Sequence, residues 1–317
     1  MKTVVAHVAV AIFRRVLRLG YERWRRLHTG AAFLLLGLPL VHSLALGPDL
    51  GSPAARIIWA ALPLLAWSAW FYGRLARPRL LGLHAYQVVS IALEAPRVWT
   101  LTLQPPMSRR LAYAPGQFLF LRPQGSSVLA EEHPFSIASS PSASGRISVT
   151  IKECGDFTST IGRLKPGDLA AVHGPFGRFS HAFHPDGGDL VFVAAGIGIT
   201  PLMSMLRSMR DRAERRRVLL IYANRGVADI VFRKELESIE ASGFPVLKTI
   251  HILSQPPADW VGRTGRLDTA SLRSLCGGFS DKAFFICCPP VMAFGLIRGR
   301  RDAGVAPKRI HTDYFGL

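Results

Sequence analysis

Two long stretches of apolar residues without a charged side chain dominate the first quarter of the chain. They span residues 29–47 and 57–73, and each approaches the ~20 residues that a helix needs to cross a bilayer. A short linker joins them, so the pattern predicts a hairpin of two transmembrane helices within residues 1–80. The alternative is a pair of buried core helices.

After Pro78 the chain consists of short segments rich in β-branched and aromatic residues, separated by proline and glycine. Such segments are typical of strands, and a series of them predicts an antiparallel β-barrel, here over residues 84–183. The predicted strands cover residues 86–94, 98–105, 115–123, 147–152 and 168–177.

The last part of the chain alternates between buried strands and amphipathic helices. Its first strand leads into a turn that contains Gly196 and Gly198, and a helix starts near Thr200 and Pro201. Strands that alternate with helices form parallel sheets, so we expect an α/β domain over residues 188–317. The predicted fold class is therefore an α+β multidomain membrane protein, with a helical hairpin, an antiparallel β-barrel and a parallel-sheet domain.

The chain is basic, with 39 Lys and Arg against 21 Asp and Glu and a formal net charge of +18. Arginines flank the hairpin on its outer sides, whereas the linker carries only Asp49, so the positive-inside rule places both ends in the cytoplasm. We expect a multi-pass protein of the inner or plasma membrane with cytoplasmic soluble domains, and no nucleic-acid partner. The flanking arginines are Arg14, Arg15, Arg18, Arg23, Arg25, Arg26, Arg74, Arg77 and Arg79.

Two histidines of the first predicted helix have a spacing that suits metal ligands. His28 and His42 lie nearly four helical turns apart, about 21 Å along the axis, and project from nearly one face. That spacing suits two haem groups stacked across a membrane, and ionisable residues inside membranes are commonly functional. The alternative places His28 at the interface and His42 near the outer headgroups. One helix offers each iron only one ligand, so haem b would also need a haem-bearing membrane subunit or further helices.

Four segments, PGQFLFLRP, HPFSIASSP, IKECGDFTSTI and GPFGRF, follow one another in the predicted barrel region. In this order they resemble the FAD domain of the ferredoxin-NADP reductase superfamily. His-Pro-Phe in place of the Arg-x-Tyr-Ser signature resembles its ferric reductase and NADPH oxidase branch. The resemblance implies an enzyme that uses FAD and NADPH.

The FAD site implied by this resemblance lies in the same segments. Phe135 offers an apolar face for the flavin ring, and the Ser136 hydroxyl can hydrogen-bond the N5 edge of the ring. Thr158 and Ser159 can hold the pyrophosphate at a helix N-terminus, although their sequence is also an ordinary helix start. The complete predicted set is His133, Pro134, Phe135, Ser136, Lys152, Gly155, Thr158 and Ser159.

The nucleotide site is expected at the ends of the strands in the last domain. The glycine turn lets the backbone approach a pyrophosphate. Arg225, helped by Arg233, matches a 2′-phosphate, which favours NADPH over NADH; an exposed turn residue is the alternative for Arg225. The predicted set is Gly196, Gly198, Thr200, Pro201, Asn224, Arg225, Arg233 and Cys287.

Three residues are predicted to act at the reacting centre, namely Ser136, Cys287 and Phe315. Residues 282–292 resemble the Cys-Gly-Pro-Pro motif of the family, with Cys287 in the cysteine position and Cys288 in place of glycine. Because glycine allows close approach, we expect Cys288 to weaken nicotinamide docking. Cys287 as a buried small hydrophobe is the alternative. Phe315, with Tyr314 as second choice, is expected to cover the flavin.

Three functions fit these patterns. The first is a membrane-anchored reductase that passes electrons from NADPH through FAD to haem or another one-electron acceptor, which is a small molecule or a protein. The second uses the helices only as an anchor and feeds a separate electron carrier without its own haem. The third is a truncated, non-catalytic membrane subunit.

Overall fold

The computed structural model divides into two compact units, Met1–Leu80 and Leu81–Leu317. Phe315 and Tyr314 lie outside the described residues, as do Asp49 and the flanking residues Arg14, Arg15, Arg18, Arg77 and Arg79. The described residues are 21–46, 52–76, 80, 85–106, 110–124, 128–142, 145–184, 188–276, 282–298 and 306–313.

The first unit contains two helices, α1 (Tyr21–Leu46) and α2 (Pro53–Phe71), and a π-helical turn at Tyr72–Ala76 follows α2. Ser52 caps α2, because its hydroxyl accepts a hydrogen bond of 3.1 Å from the Ala55 amide, as N-cap serines do. Within α1, residues Leu27–Ala45 have a mean hydropathy of 1.5, and α2 has 1.4. Both helices are therefore long and apolar enough to cross a membrane.

The two helices of the first unit contact each other through aromatic rings. Phe33 of α1 lies 6.0 Å from Trp67 and 4.8 Å from Trp70, measured between ring centroids. Gly37 faces Trp67, so the helices approach closely there. The apolar stretches are 0% and 6% buried in the described part of the protein, which is not the burial expected of core helices.

The second unit begins with a six-stranded sheet in the order β4-β3-β6-β1-β2-β5. Neighbouring strands in this order pair antiparallel, and an antiparallel bridge between Ile137 and Val149 joins the two ends of the sheet. The predicted antiparallel sheet is thus confirmed. Its strands are β1 (Tyr86–Ala95), β2 (Val98–Gln104), β3 (Phe118–Pro123), β4 (His133–Ser136), β5 (Ile147–Lys152) and β6 (Leu169–Phe176).

Alternation along β3 shows which face of the barrel is inside. Leu119 and Leu121 are fully buried in the barrel core, while Phe118 and Phe120, which alternate with them, are half-buried. Successive side chains of a strand point to opposite faces. Residues of β4 opposite Phe118 and Phe120 therefore share the outer face.

The rest of the second unit is a six-stranded parallel sheet in the order β10-β9-β8-β7-β11-β12. Apolar clusters cover both faces of this sheet, as is usual for parallel sheets. The predicted parallel sheet is confirmed. Its elements are β7 (Leu190–Ala195), α3 (Ile199–Asp211), β8 (Arg217–Asn224), α4 (Arg233–Ser242), β9 (Val246–Leu253), β10 (Arg263–Thr264), α5 (Thr269–Cys276), β11 (Ala283–Cys287), α6 (Pro290–Arg298) and β12 (Ile310–Asp313).

Candidate functional site

Ser136 ends β4 on the outer face of the barrel, opposite Phe118 of β3. The residue is 3% exposed, and its hydroxyl has no hydrogen-bond partner among the described residues. A buried hydroxyl without a partner costs about 1–3 kcal/mol. The Ser136 hydroxyl is therefore suited to hydrogen-bond a ligand with a polar edge, such as the flavin ring.

The other face of β4 carries aromatic side chains. The rings of His133 and Phe157 stack at 4.2 Å, and Phe135 lies 6.2 Å from Phe157 in a nearly parallel plane. His133 Nε2 also lies 3.1 Å from a carboxylate oxygen of Glu131. Pro134 between the two rings is exposed. Phe135 and Phe157 pack on the barrel core, so these rings lie on the face of β4 opposite that of Ser136.

The loop after β5 contains the predicted pyrophosphate residues. Lys152 is exposed, Gly155 has a φ of +92°, and a short 3₁₀ helix follows at Thr158–Arg163. Thr158 Oγ1 accepts from the Cys154 amide at 2.5 Å, and Ser159 Oγ donates to the Asp156 carbonyl at 2.9 Å. The Ser159 proton is therefore used within the loop, whereas Thr158 can still donate to a ligand.

The glycine turn after β7 is packed against the end of β11. A methyl group on Gly198 would lie 2.1 Å from the Cys287 carbonyl oxygen, which only glycine avoids. Gly196 has a φ of +52°, and its carbonyl accepts a 3.0 Å hydrogen bond from the Tyr222 hydroxyl. The turn is thereby fixed at the start of α3, where helix amide groups can bind an anion.

Thr200 and Pro201 lie in the first turn of α3, and both are buried. Thr200 Oγ1 donates to the Ile197 carbonyl at 3.0 Å, so this hydroxyl holds the glycine turn. The helix begins at Ile199, one residue before the predicted start. The two residues thus shape the turn beside the expected pyrophosphate.

The residues expected to bind the adenosine end follow β8. Asn224 is 7% exposed, and neither atom of its amide has a hydrogen-bond partner in the part of the chain that the structure describes. Arg225 is exposed. Arg233 donates to Glu237 at 3.1 Å, so its charge is already partly neutralised. Arg225 is therefore the better placed of the two arginines for a 2′-phosphate.

Cys287 ends β11 and is completely buried. Burial, and to a smaller extent the Asp313 carboxylate, raise the pKa of its thiol well above the usual range, so the thiol is protonated at neutral pH. Cys288 points into the apolar cluster on the other face of the sheet. Its side chain thus lies away from the face on which Cys287 packs.

Asp313 is a residue of the site that the sequence motifs did not reveal. It is the register partner of Cys287 on β12. In the sequence, Asp313 is marked only as an acidic residue after a short apolar segment. Its pairing with Cys287 on the adjacent strand is visible only in the folded structure.

Two side chains of α3 bind the chain segment that follows β4. Ser204 Oγ donates to the Ser139 carbonyl at 2.6 Å, and Arg207 Nη1 donates to the Ala138 carbonyl at 2.8 Å. Arg207 also forms a bidentate ion pair with Glu235. The helix that begins at the glycine turn is thus bonded to the segment that directly follows Ser136.

A cavity of about 380 Å³ lies between the barrel and β12. Its barrel wall includes Phe118, the register partner of Ser136, and its other wall includes Asp313, the register partner of Cys287. Partners in adjacent strands have Cα atoms about 4.5–5.5 Å apart. The cavity therefore adjoins the region that Ser136 and Cys287 define.

Comparison with known proteins agrees with this geometry. Residues 85–166 match the model of an FAD-binding domain, and residues 192–296 match that of an oxidoreductase NAD-binding domain. The chain is 31% identical to sulfhydrogenase 1 subunit gamma of Pyrococcus furiosus over 208 residues, 65% of this chain and 69% of that protein.

Two further relatives extend the comparison. Terephthalate 1,2-dioxygenase reductase component 1 of Comamonas sp. is 28% identical over 234 residues, 72% of this chain and 67% of that protein. The crystal structure of a ferredoxin NADP+ reductase from Neisseria gonorrhoeae with bound FAD and NADP has the same fold, with a TM-score of 0.62 and 19% identity over 73% of this chain and 97% of that one.

The two domain models fall on the two sheets of the second unit, the FAD-binding model on the antiparallel sheet and the NAD-binding model on the parallel sheet. The chain belongs to the ferredoxin-NADP reductase superfamily and is an NAD(P)H-dependent oxidoreductase that contains FAD.

Proposed function

We propose that the chain is a membrane-anchored, NADPH-dependent reductase of the ferric reductase and NADPH oxidase type, which passes electrons to haem or another one-electron acceptor. The observation that carries the redox part is the buried hydroxyl of Ser136, which has no hydrogen-bond partner among the described residues. The segment that follows Ser136 is bonded through the Ala138 and Ser139 carbonyls to the helix of the glycine turn. The His-Pro-Phe-Ser sequence at residues 133–136 supports the branch.

Several residues of this chain have distinct roles at the reacting centre. The flavin, when bound, accepts a hydride and releases electrons one at a time. Ser136 would donate a hydrogen bond to the reacting edge of the flavin. Gly198 and Cys287 bring backbone close to the nicotinamide. The neutral Cys287 thiol adds no charge beside the hydride, because burial keeps it protonated.

Two features support NADPH as the donor. Arg225 is exposed at the end of β8, where a nucleotide ribose would lie in a sheet of this type. A guanidinium matches a 2′-phosphate with two parallel hydrogen bonds. Arg233 contributes less, since it already donates to Glu237.

The proposed location is the inner or plasma membrane, with the FAD and NADP domains in the cytoplasm. The two helices of the first unit support it, because large apolar side chains such as Leu34 (60% exposed) and Ile57 (69% exposed) have no protein neighbour to cover them in the described residues. A lipid environment would cover such side chains. The arginine-rich flanks of the two helices support an orientation with both ends of the hairpin in the cytoplasm.

Haem b is the proposed inner acceptor, held by His28 and His42 on α1. His42 is exposed on the helix surface, and His28 is half-buried and stacks on Trp24 at 4.9 Å. Each would supply one ligand to a haem iron, and a haem-bearing partner subunit or further helices would supply the other. The test is the absorption spectrum of the detergent-purified protein, with His42→Ala as the comparison.

The specific alternative is a membrane-anchored reductase that feeds a separate electron carrier and has no haem. The name of the Comamonas relative, a dioxygenase reductase component, favours it. If the purified protein holds FAD, lacks haem absorption, and transfers electrons equally well after His42→Ala, this alternative replaces the haem relay. The matches to both cofactor domains favour either reductase over a non-catalytic subunit.

A direct experiment tests the proposed function as a whole. The full chain is purified in detergent, its FAD content is measured, and anaerobic NADPH and NADH are added separately. We expect the visible absorption of the flavin to bleach, faster with NADPH than with NADH, because the nicotinamide supplies a hydride to the flavin. A protein that binds FAD but is not reduced by either nucleotide contradicts the proposal.

A further inference from the structure

We infer that the cavity of about 380 Å³ beside β12 is a binding site for a planar, carbonyl-bearing electron acceptor, a quinone ring. This inference rests on the proposed function, since it identifies the acceptor of the same redox centre. The volume lies within the range of about 300–1,000 Å³ typical of small-molecule sites.

The cavity borders the redox centre, with which it shares Asp313. Its lining contains neither a residue predicted to bind FAD nor one predicted to bind NADPH. It nevertheless adjoins the redox centre, because Phe118 pairs with Ser136 and Asp313 pairs with Cys287 across neighbouring strands.

Four of the ten residues that line the cavity carry flat aromatic rings. Phe118 and Phe179 come from the barrel side, and His184 and His311 from the other side. The two imidazoles stack at 3.6 Å with an angle of 22° between their planes. Flat walls favour a planar ring, which can stack on them. A globular ferric chelate would touch such walls over a small area, and a protein acceptor cannot enter.

The polar groups of the cavity suit the carbonyl oxygens of a quinone. Arg178 is exposed at the wall, and no carboxylate pairs with it among the described residues. Its guanidinium can donate to a carbonyl oxygen and stabilise the negative charge that reduction places there. Thr312 also lines the cavity and offers a hydroxyl.

Reduction of the quinone balances with NAD(P)H as the electron donor. One NAD(P)H, one proton and one quinone give NAD(P)+ and one hydroquinone. The donor supplies two electrons and one proton as a hydride, and the second proton comes from solvent, which reaches the open cavity. Both carbonyl oxygens become hydroxyl groups, and no further oxidant or reductant is needed.

The experiment uses the FAD-loaded full chain in detergent and duroquinone, whose fully substituted ring cannot react with the exposed Cys154 thiol. Arg178→Gln removes the cation, and Thr312→Phe narrows the cavity. Arg146→Gln is the matched control, because Arg146 is an exposed barrel arginine that does not line the cavity. Three quantities are measured: the KM for duroquinone, the rate of flavin reduction without acceptor, and the dissociation constant of duroquinone by equilibrium dialysis without NAD(P)H.

We expect both cavity variants to raise the KM and the dissociation constant for duroquinone about tenfold or more, while the control leaves them unchanged. Flavin reduction by NAD(P)H should keep the wild-type rate, which also shows that the variants fold. Unchanged KM and dissociation constant in both variants, or no binding to the wild type, overturn the inference. If the wild-type flavin is not reduced, the proposed function fails instead, and the dialysis still decides whether the cavity binds a quinone.

Discussion

Arg207 and Ala138 join the two domains of the second unit: Arg207 Nη1 donates to the Ala138 carbonyl across 2.8 Å. Arg207 lies on the helix that starts at the glycine turn, and Ala138 lies two residues after Ser136. Glu235 holds the guanidinium in place. Burial opposes ionisation of Glu235, but the hydrogen bonds and charge of Arg207 outweigh it and lower the pKa of Glu235. The pair is therefore charged at neutral pH.

Replacing Arg207 with Met should destabilise the protein, because a mostly buried carboxylate and the Ala138 carbonyl lose their donor. The Arg207 side chain is 15% exposed and that of Glu235 is 30% exposed, and breaking such a pair costs about 2–4 kcal/mol. Arg217→Met is the control, since the Arg217 side chain is 74% exposed and surface pairs contribute about 0–1 kcal/mol. Equal losses of unfolding free energy in the two variants would contradict this assignment.

Ser136→Ala separates a role in the redox centre from a role in packing. Without FAD, the unfolding free energy should stay within about 0.5 kcal/mol or rise, because the variant removes a buried hydroxyl that has no partner. With FAD, reduction by NADPH should slow about tenfold, the effect of one lost hydrogen bond.

The contrasting variant is Ser204→Ala. Its hydroxyl donates to the Ser139 carbonyl at 2.6 Å, so its loss should cost about 1 kcal/mol in the apoprotein. If Ser136→Ala destabilises the apoprotein by as much as Ser204→Ala does, the Ser136 hydroxyl has a partner in the folded chain, and the redox assignment loses its support.

Gly198→Ala should abolish tight nucleotide binding. The new methyl group would lie 2.1 Å from the Cys287 carbonyl oxygen, so the turn must open and its amide groups must leave their positions. We expect the dissociation constant of NADPH to rise at least about tenfold, measured by titration. Gly295→Ala on α6 meets no atom within 4 Å and should stabilise the protein by about 0.5–1 kcal/mol.

Arg225→Ser should lower kcat/KM for NADPH by about ten- to a hundredfold and leave NADH oxidation nearly unchanged, because a charged hydrogen bond contributes about 1.5–3 kcal/mol. Arg233→Ser should have the smaller effect, since Arg233 already donates to Glu237. Equal losses with both nucleotides after Arg225→Ser would show that this arginine does not bind a 2′-phosphate.

His181 should make stability fall in mild acid. Burial, with help from Arg216 and Arg212, lowers the pKa of His181 to about 4, against 6.5 for the free side chain. As the pH falls below 6.5 the unfolded chain takes up the proton first, so stability is lost between pH 6.5 and about 4, by up to about 3 kcal/mol. Unfolding free energies from pH 7.5 to 4.5 should show this slope in the wild type and a shallower one in His181→Phe.

The sequence predicts most of the barrel, because segments rich in β-branched and aromatic residues, bounded by proline and glycine, mark β1, β2, β3, β5 and β6. β4 was recognised only as a motif, since it has four residues and contains Pro134, and proline weakens any strand pattern. Pro134 is tolerated near the seam where Ile137 meets Val149. β4 is therefore recognisable as a strand only in the folded structure.

In the candidate site, local motifs identify Ser136, Gly198 and Cys287, because glycine turns and cysteine-proline segments have recognisable sequences. Arg207 and Asp313 could not be found in this way. Arg207 meets Ala138 across 69 positions of the chain, and Asp313 meets Cys287 only through pairing of β11 with β12. Contacts of this range depend on the tertiary arrangement and leave no local pattern.

The exposure of the cysteines has a practical consequence. All four cysteines lie in the described part of the chain; Cys276, Cys287 and Cys288 are buried, and Cys154 is exposed. A maleimide dye should therefore label the native protein at one position, next to Gly155 and the loop expected to hold the pyrophosphate. Such a fluorophore would report cofactor loading in real time without any engineered thiol.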